Sequence, residues 1–434
     1  MALGTGRAVE PGGARTAAER WIDPRVSGVY VLWSHRPKPA VRGAKTRGAP
    51  VQQAAMNVGG FGHVDRDMSR GVDVAVGGTA VAVAMEARAG SEGVEVGSRG
   101  VVARGFVREV TRWPLAGARP PLLAGRAFVL PGAEAWRAAR PWLVAHGRED
   151  MLEGSLFLDV EATGLGHAAG TVAFVVGLAR VAGACVEVEQ WTLSRLSAEA
   201  AMLAEIAGRI AGGPLVTFNG ASFDLPLLRG RLRRCGLDPA ALAGPHLDLL
   251  PIARRLWRGR APDCRLATLE RVELGAHRVG DIPGHAIPAV FWEVLQRPAR
   301  PQARAALGKV CAHTVVDILA MPALARAMAA TLTAPTDLDL ALRTAEHLTA
   351  LGRRPAALAA IEPWIEPLIA GPVAVDAVGA LREGRALRLA ASLLRREGLR
   401  ERAAVVREAA RRRAAEPNAG RGAAVRADAR GPVS

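Results

Sequence analysis

The sequence predicts an α/β domain, a mixed sheet flanked by helices, over residues 150–330, followed by an all-α region. Three observations carry this. An apolar strand at Leu156–Val160 is followed by two more strand-like runs, Thr171–Val181 and Ala184–Leu193, joined tightly at Gly183. Helical and strand periods then alternate: an amphipathic helix over Ala198–Ile210, a short apolar strand at Leu215–Phe218, and helices over Leu225–Cys235 and His246–Trp257. From Asp337 onward the spacing is helical throughout.

The flanking regions read differently. Residues 1–60 are rich in Gly, Pro and Arg without periodicity, which predicts a disordered leader. Residues 61–149 form a small β-rich and helical region. Its alternating runs include Val72–Val76, Ala80–Ala84 and Val101–Val107, and a helix over 133–147 carries Trp136 and Trp142 as core residues. Residues 335–415 give helices at Leu338–Gly352, Arg354–Ile365, Leu381–Gly398 and Arg400–Arg413. They make two helical hairpins of tetratricopeptide-like type, with a packed helical tail as the plainer alternative. Residues 416–434 are expected to be a disordered tail.

Composition narrows the function classes. The chain has 434 residues, room for two or three domains, and half are hydrophobic. The formal charge is +16, divided as +8 over residues 1–150, +3 over 151–330 and +5 over 331–434. Basic flanks around a balanced centre fit a nucleic-acid partner. A general bias toward Arg, with Lys only at Lys38, Lys45 and Lys309, accounts for part of the excess. Cys185, Cys235, Cys264 and Cys311 form no CxxC pair and suit neither zinc nor a disulfide framework. Glu10 and Glu19 interrupt any signal-sequence pattern, and the apolar run Gly170–Val188 contains Arg180 and reads as two strands and a turn. A cytoplasmic protein without a membrane partner is expected.

The acids carry the chemistry. Asp159 and Glu161 end the strand Leu156–Glu161 and, two residues apart, point to one face. Adjacent carboxylates against an apolar sheet repel unless a cation lies between them. Asp224 stands at the start of a helix in Phe218-Asn219-Gly220-Ala221-Ser222-Phe223-Asp224, where a helix N-cap is the competing reading. His313 and Asp317 share a helix face at i and i+4, with a satisfied surface pair as the alternative. Asp248 is expected as a structural N-cap, and His246 and His285 receive no role.

The ordered set of a D-x-E strand, N-x-x-x-F-D and H-x-x-x-D resembles the DEDD (DnaQ-like) exonuclease superfamily of ribonuclease H-like fold. More narrowly it resembles the YprB-type ribonuclease H-like proteins of bacteria, which carry C-terminal helical repeats. The matching stretches are LFLDVEATGL at 156–165, GTVAFVVGL at 170–178, TFNGASFDLPLL at 217–228, HLDLLPIARRLW at 246–257, LATLERVEL at 266–274, DIPGHAIP at 281–288 and HTVVDIL at 313–319. The resemblance implies that Asp159, Glu161, Asp224 and Asp317 bind metal and that His313 is the general base. Two departures stand out. Ala162 occupies a position where the family often has Thr, and His313 sits at the spacing of the tyrosine subclass.

That resemblance implies a 3′→5′ exonuclease. It would hydrolyse DNA or RNA at single-stranded or frayed 3′ ends with two divalent cations, Mg²⁺ or Mn²⁺, the hard ions that oxygen ligands favour. A neutral His near pKa 6.5 suits the base. Phosphate contacts are expected from Arg229 and Arg233 on one helix and Arg254 and Arg258 on the next, with Arg231, Arg234, Arg255 and Arg260 in the same clusters; a solvated helix face is the alternative. Phe223 and Leu165 are candidates to pack on a terminal base. The competing functions are a non-catalytic nucleic-acid-binding or scaffold protein, with the helical tail as a protein-partner surface, and a structure-specific endonuclease.

Overall fold

The computed structural model describes residues 101–428 apart from 104, 165–169 and 375, and side chains between 105 and 414. The leader over 1–60, the early strands over 72–84, Leu165 and residues 429–434 lie outside the described residues.

In chain order the elements are β1 (Val101–Ala103), β2 (Phe106–Pro114), β3 (Ala116–Ala118), β4 (Leu123–Gly125), β5 (Phe128–Val129) and α1 (Ala133–Leu143). The central part follows with β6 (Leu156–Ala162), β7 (Ala173–Ala182), β8 (Cys185–Leu193), α2 (Glu199–Ile210), β9 (Leu215–Thr217) and α3 (Asp224–Arg234). It continues through β10 (His246–Asp248), α4 (Leu249–Trp257), α5 (Leu266–Leu269), β11 (Ala276–Arg278), α6 (Ile287–Gln296) and α7 (Pro301–Thr333). Four helices close the chain: α8 (Leu338–Ala350), α9 (Arg354–Ala370), α10 (Ala377–Arg396) and α11 (Arg400–Asp428).

The main sheet has seven strands in the order β1-β2-β8-β7-β6-β9-β10. β6, β7 and β8 form the antiparallel meander, with Gly183 at positive φ in the β7–β8 turn, where no Cβ penalty applies. β9 and β10 extend it in parallel. Alternation then gives each face a core. Leu158 and Leu178 face α2, α3 and α6, whereas Phe157 and Ala179 face α1, α4 and most of α7. Trp136 of α1 meets Phe157 with ring centroids 5.4 Å apart.

Three expectations change. Residues 101–114 are no separate region: β2 pairs with β8 along its whole length, Phe106 opposite Leu193 through Pro114 opposite Cys185. Arg108–Glu189 and Arg112–Glu187 ion pairs join the two strands. The sheet would otherwise end at β8 with a row of unpaired backbone groups, and β2 covers that edge. The helix expected over His246–Trp257 begins only at Leu249, because His246–Asp248 pairs with β9. The final helix runs to Asp428, past the boundary expected at 416.

α7 is long and apolar enough to cross a membrane, but 72% of its apolar window is buried inside the protein, as in the core helix of a soluble fold. It packs on β6 and β7 at one position above all. A Cβ on Gly177 would lie 1.9 Å from Ile318 Cδ1 and 3.1 Å from Thr314 Cγ2, so the helix rests directly on the strand.

Candidate active site

Gly177 is paired with Asp159 across the β6–β7 ladder. The helix that sits on Gly177 therefore sits beside Asp159, and its contact residues Thr314 and Ile318 directly follow His313 and Asp317 in the chain. His313 Nε2 lies 3.7 Å from Glu161 Oε1 and 3.4 Å from Asp317 Oδ2. One ligand atom from each of Glu161, His313 and Asp317 falls within 4.8 Å of the others, a spacing that could hold a metal ion.

Asp224 completes the acids. It is the first residue of α3 and is 8% exposed. The N-cap position belongs to Phe223, and no side chain caps that helix end, so the capping explanation for Asp224 falls away. Asp248 holds the preceding loop in place. Its carboxylate accepts hydrogen bonds from the backbone N–H groups of Asn219 at 2.8 Å, Ala221 at 3.1 Å and Leu250 at 3.0 Å. It is thus the N-cap of α4, as expected, and it also braces the turn where Asn219 adopts φ 71°. His246, which received no role, bonds Thr217 at 2.8 Å behind this loop, and His285 is exposed.

The acids raise one another's proton affinity. Burial pushes Asp159 well above the carboxylate range, and Asp317, Glu161 and Asp224 push it further. Burial raises Glu161 to about 7, with Asp317 adding and His313 opposing. Asp224 also rises to about 7, through burial first, then Glu161, Asp248 and Asp317 against its own backbone amide. Asp317 goes the other way: burial works against it, but Arg278 and His313 hold it at about 2. Asp159 Oδ2 is buried without a hydrogen-bond partner. An orphaned carboxylate oxygen among repelling acids fits a divalent cation, which removes both costs.

The sequence reading did not single out Arg278, Glu270 or Asp281. Arg278 ends β11 with its side chain 7% exposed, and its guanidinium joins Glu270 and Asp317. It also reaches Asp281 Oδ2 at 3.3 Å. Asp281 accepts from His313 Nδ1 at 2.8 and 2.9 Å, which fixes the ring and turns Nε2 toward Glu161 and Asp317. Desolvation works against the charged ring, but Asp317, Asp281 and Glu161 outweigh it and raise His313 to about 11 when no cation sits on the acids. No local spacing announces these partners; the nearest signals were the family stretches LATLERVEL, which holds Glu270, and DIPGHAIP, which holds Asp281.

The arginines divide. Arg254 and Arg258 are exposed and line a cavity of about 530 Å³ with Phe218, Asn219 and Arg265, next to the Asp224 loop. Arg233 is exposed, and so is Phe223, at 44%. Arg229 instead donates to the Leu242 carbonyl at 2.7 Å. Arg231 is buried against Glu199 at 2.6 Å, because the α3 face it occupies packs on α2. Arg255 and Arg260 bond His347 and Asp337, tying α4 to the helical region.

Residues 156–329 match the family model of the RNase_H superfamily, and the fold of this segment is ribonuclease H-like. The chain is 35% identical over 167 residues to the uncharacterized protein YprB of Bacillus subtilis (strain 168). That match covers 38% of this chain and 39% of the relative, so the chain spans well under half of the relative's length. Among solved structures, the family B DNA polymerase of the archaeon Pyrobaculum calidifontis aligns at 13% identity and TM-score 0.34, over 55% of this chain and 28% of that one. The zinc-bound E. coli ExoI–ssDNA complex aligns at 18% identity and TM-score 0.24, over 36% and 42%.

Proposed function

We propose that this domain is a metal-dependent 3′→5′ exonuclease of DEDD type that hydrolyses phosphodiester bonds of DNA or RNA in the cytoplasm. The observation that carries the reading is the orphaned, buried Asp159 Oδ2, whose pKa is raised by burial and by Asp317, Glu161 and Asp224 around it. Asp159, Glu161, Asp224 and Asp317 would hold two divalent cations, Mg²⁺ or Mn²⁺. Such cations, when bound, polarise the phosphoryl group, lower the pKa of water and neutralise the charge that builds up.

The chain's own residues do the rest. Asp281 orients His313 so that Nε2 faces the gap between Glu161 and Asp317. With cations on the acids, the carboxylate charge that raises His313 is offset, and its Nε2 can take the proton of the attacking water. The water oxygen bonds to phosphorus, the bond from phosphorus to the 3′ oxygen breaks, and that oxygen gains a proton. Phe223, exposed beside Asp224, supplies a face for the terminal base, and Arg254 and Arg258 supply phosphate contacts. Polarity and end preference come from the family resemblance.

The test uses purified protein, end-labelled single strands and Mg²⁺ or Mn²⁺. Laddering from the 3′ end that vanishes in Asp159→Ala and Asp317→Ala is the expected result. No cleavage of any DNA or RNA, with binding intact in both variants, sinks the enzyme reading. Internal cuts in a circular strand sink the exonuclease part.

A further inference from the structure

The α10–α11 hairpin carries a groove of about 1130 Å³ that belongs to no site described above. Six exposed arginines line it: Arg388, Arg395 and Arg396 from α10, and Arg400, Arg407 and Arg411 from α11. Its floor is small, with Ala391, Ala403 and Ala410 buried between the helices, so an extended ligand can come close to the backbone.

What distinguishes these arginines is pairing. Elsewhere on the hairpin, Arg382 meets Asp339, Arg385 meets Glu346 at 2.7 Å, Arg402 meets Glu362 and Glu366, and buried Arg413 meets Glu383, while Arg412 is exposed outside the groove. Among the described side chains, only Arg411 of the groove set has a carboxylate partner, Glu408 at 3.3 Å. A general excess of arginine would scatter cations over every face. Here the paired ones hold the helices together, and six exposed ones converge on one groove, whose concentrated positive charge favours an anion.

We propose that this groove binds a single-stranded phosphodiester chain. Arginine forks match phosphate bidentately, and a row of them along two helices suits a ligand with charge at every repeat. A second copy of the chain would bring the same positive face. The inference concerns binding alone and stands whether or not the central domain cleaves.

The experiment measures fluorescence anisotropy of labelled 20-nucleotide single-stranded DNA and RNA on the full chain, in EDTA so that nothing is cut, across a salt series. The groove triple Arg395→Gln/Arg396→Gln/Arg407→Gln is compared with the paired triple Arg382→Gln/Arg385→Gln/Arg402→Gln, which removes equal charge. The groove triple should lower affinity about tenfold or more and flatten the log–log salt slope by about 2, since each lost phosphate contact removes about 0.7. The paired triple should leave the slope within about half a unit of wild type, with thermal unfolding confirming that both variants fold. Equal losses in the two triples, or no loss in either, overturn the proposal. So does displacement of the oligonucleotide by polyglutamate at equal charge concentration, or binding to phosphatidylglycerol vesicles in its place. Cleavage is assayed separately with Mn²⁺, so an inactive enzyme does not count against the groove.

Discussion

Two buried charge clusters in the same domain behave in opposite ways. Between α2 and α3, Arg231 and Glu199 close on each other, one cation to one carboxylate, and the account balances. At the end of β6 it does not. Among the described residues, Arg278 and His313 are the cationic groups set against Asp159, Glu161, Asp224, Asp317, Glu270 and Asp281. The first cluster is complete as a piece of architecture. The second is short of positive charge, and four of its acids, Asp159, Glu161, Asp224 and Glu270, answer by rising in pKa. Buried acids without partners are a cost that folding alone would not retain, so their persistence points outward, to a ligand.

Single substitutions sharpen this contrast. Asp159→Asn should abolish nuclease activity, on the order of 10³-fold or more, while leaving metal-free stability equal or higher, because a repelled buried acid is gone. The same change should remove the stabilisation that Mn²⁺ gives the parent protein, about 2.7 kcal/mol at a hundredfold excess over Kd. Melts with and without Mn²⁺ decide it, and an undiminished Mn²⁺ shift in the variant refutes the charge deficit. Glu199→Ala should do the reverse. It removes the carboxylate that buried Arg231 meets, costing about 3–5 kcal/mol in urea unfolding.

A third cluster holds a buried neutral histidine. His347 of α8 accepts from Arg255 at 3.0 Å through Nδ1 and donates from Nε2 to the Trp142 carbonyl at 3.0 Å. Burial, then the neighbouring Arg255, lowers it to about 4. The unfolded chain takes up its proton near 6.5, so this contribution is complete above that pH and is lost as pH falls toward 4, about 3 kcal/mol in all. Denaturation of wild type and His347→Gln at pH 7 and pH 4.5 measures it; parallel curves for the two would exclude it. Smaller still is Asp281→Ala, expected to lower turnover about 10- to 100-fold while the Mn²⁺ shift persists, because His313 loses its orientation and the acids remain. A collapse of the Mn²⁺ shift would instead make Asp281 part of the metal site.

These clusters also show what a sequence can carry. The meander, Asp159 and Glu161 on one face, and His313 and Asp317 on one helix face were legible because each rests on a local period. β2 was not recognised as part of the sheet, because its partner β8 lies more than seventy residues away and pairing leaves no trace in either strand alone. Arg229 and Arg231 were read as phosphate contacts for the same reason: their partners, Leu242 and Glu199, are on other elements. Arg278 and Asp281 escaped notice because a positioning role exists only once the turn after β11 meets α7.

Gly177 has a bearing on which ion the site accepts. Asp159 and Asp317 stand 158 residues apart in the sequence and meet because one strand position carries no side chain. The gap between carboxylates on different elements sets the size of cation they can share, and Mg²⁺ tolerates less variation than Mn²⁺ or Ca²⁺. A methyl group at Gly177, absorbed in part by rotation of Ile318, should widen that gap slightly. Gly177→Ala should then shift the order of thermal stabilisation away from Mg²⁺ toward the larger ions, so that a residue with no functional group acts as the gauge of ionic radius.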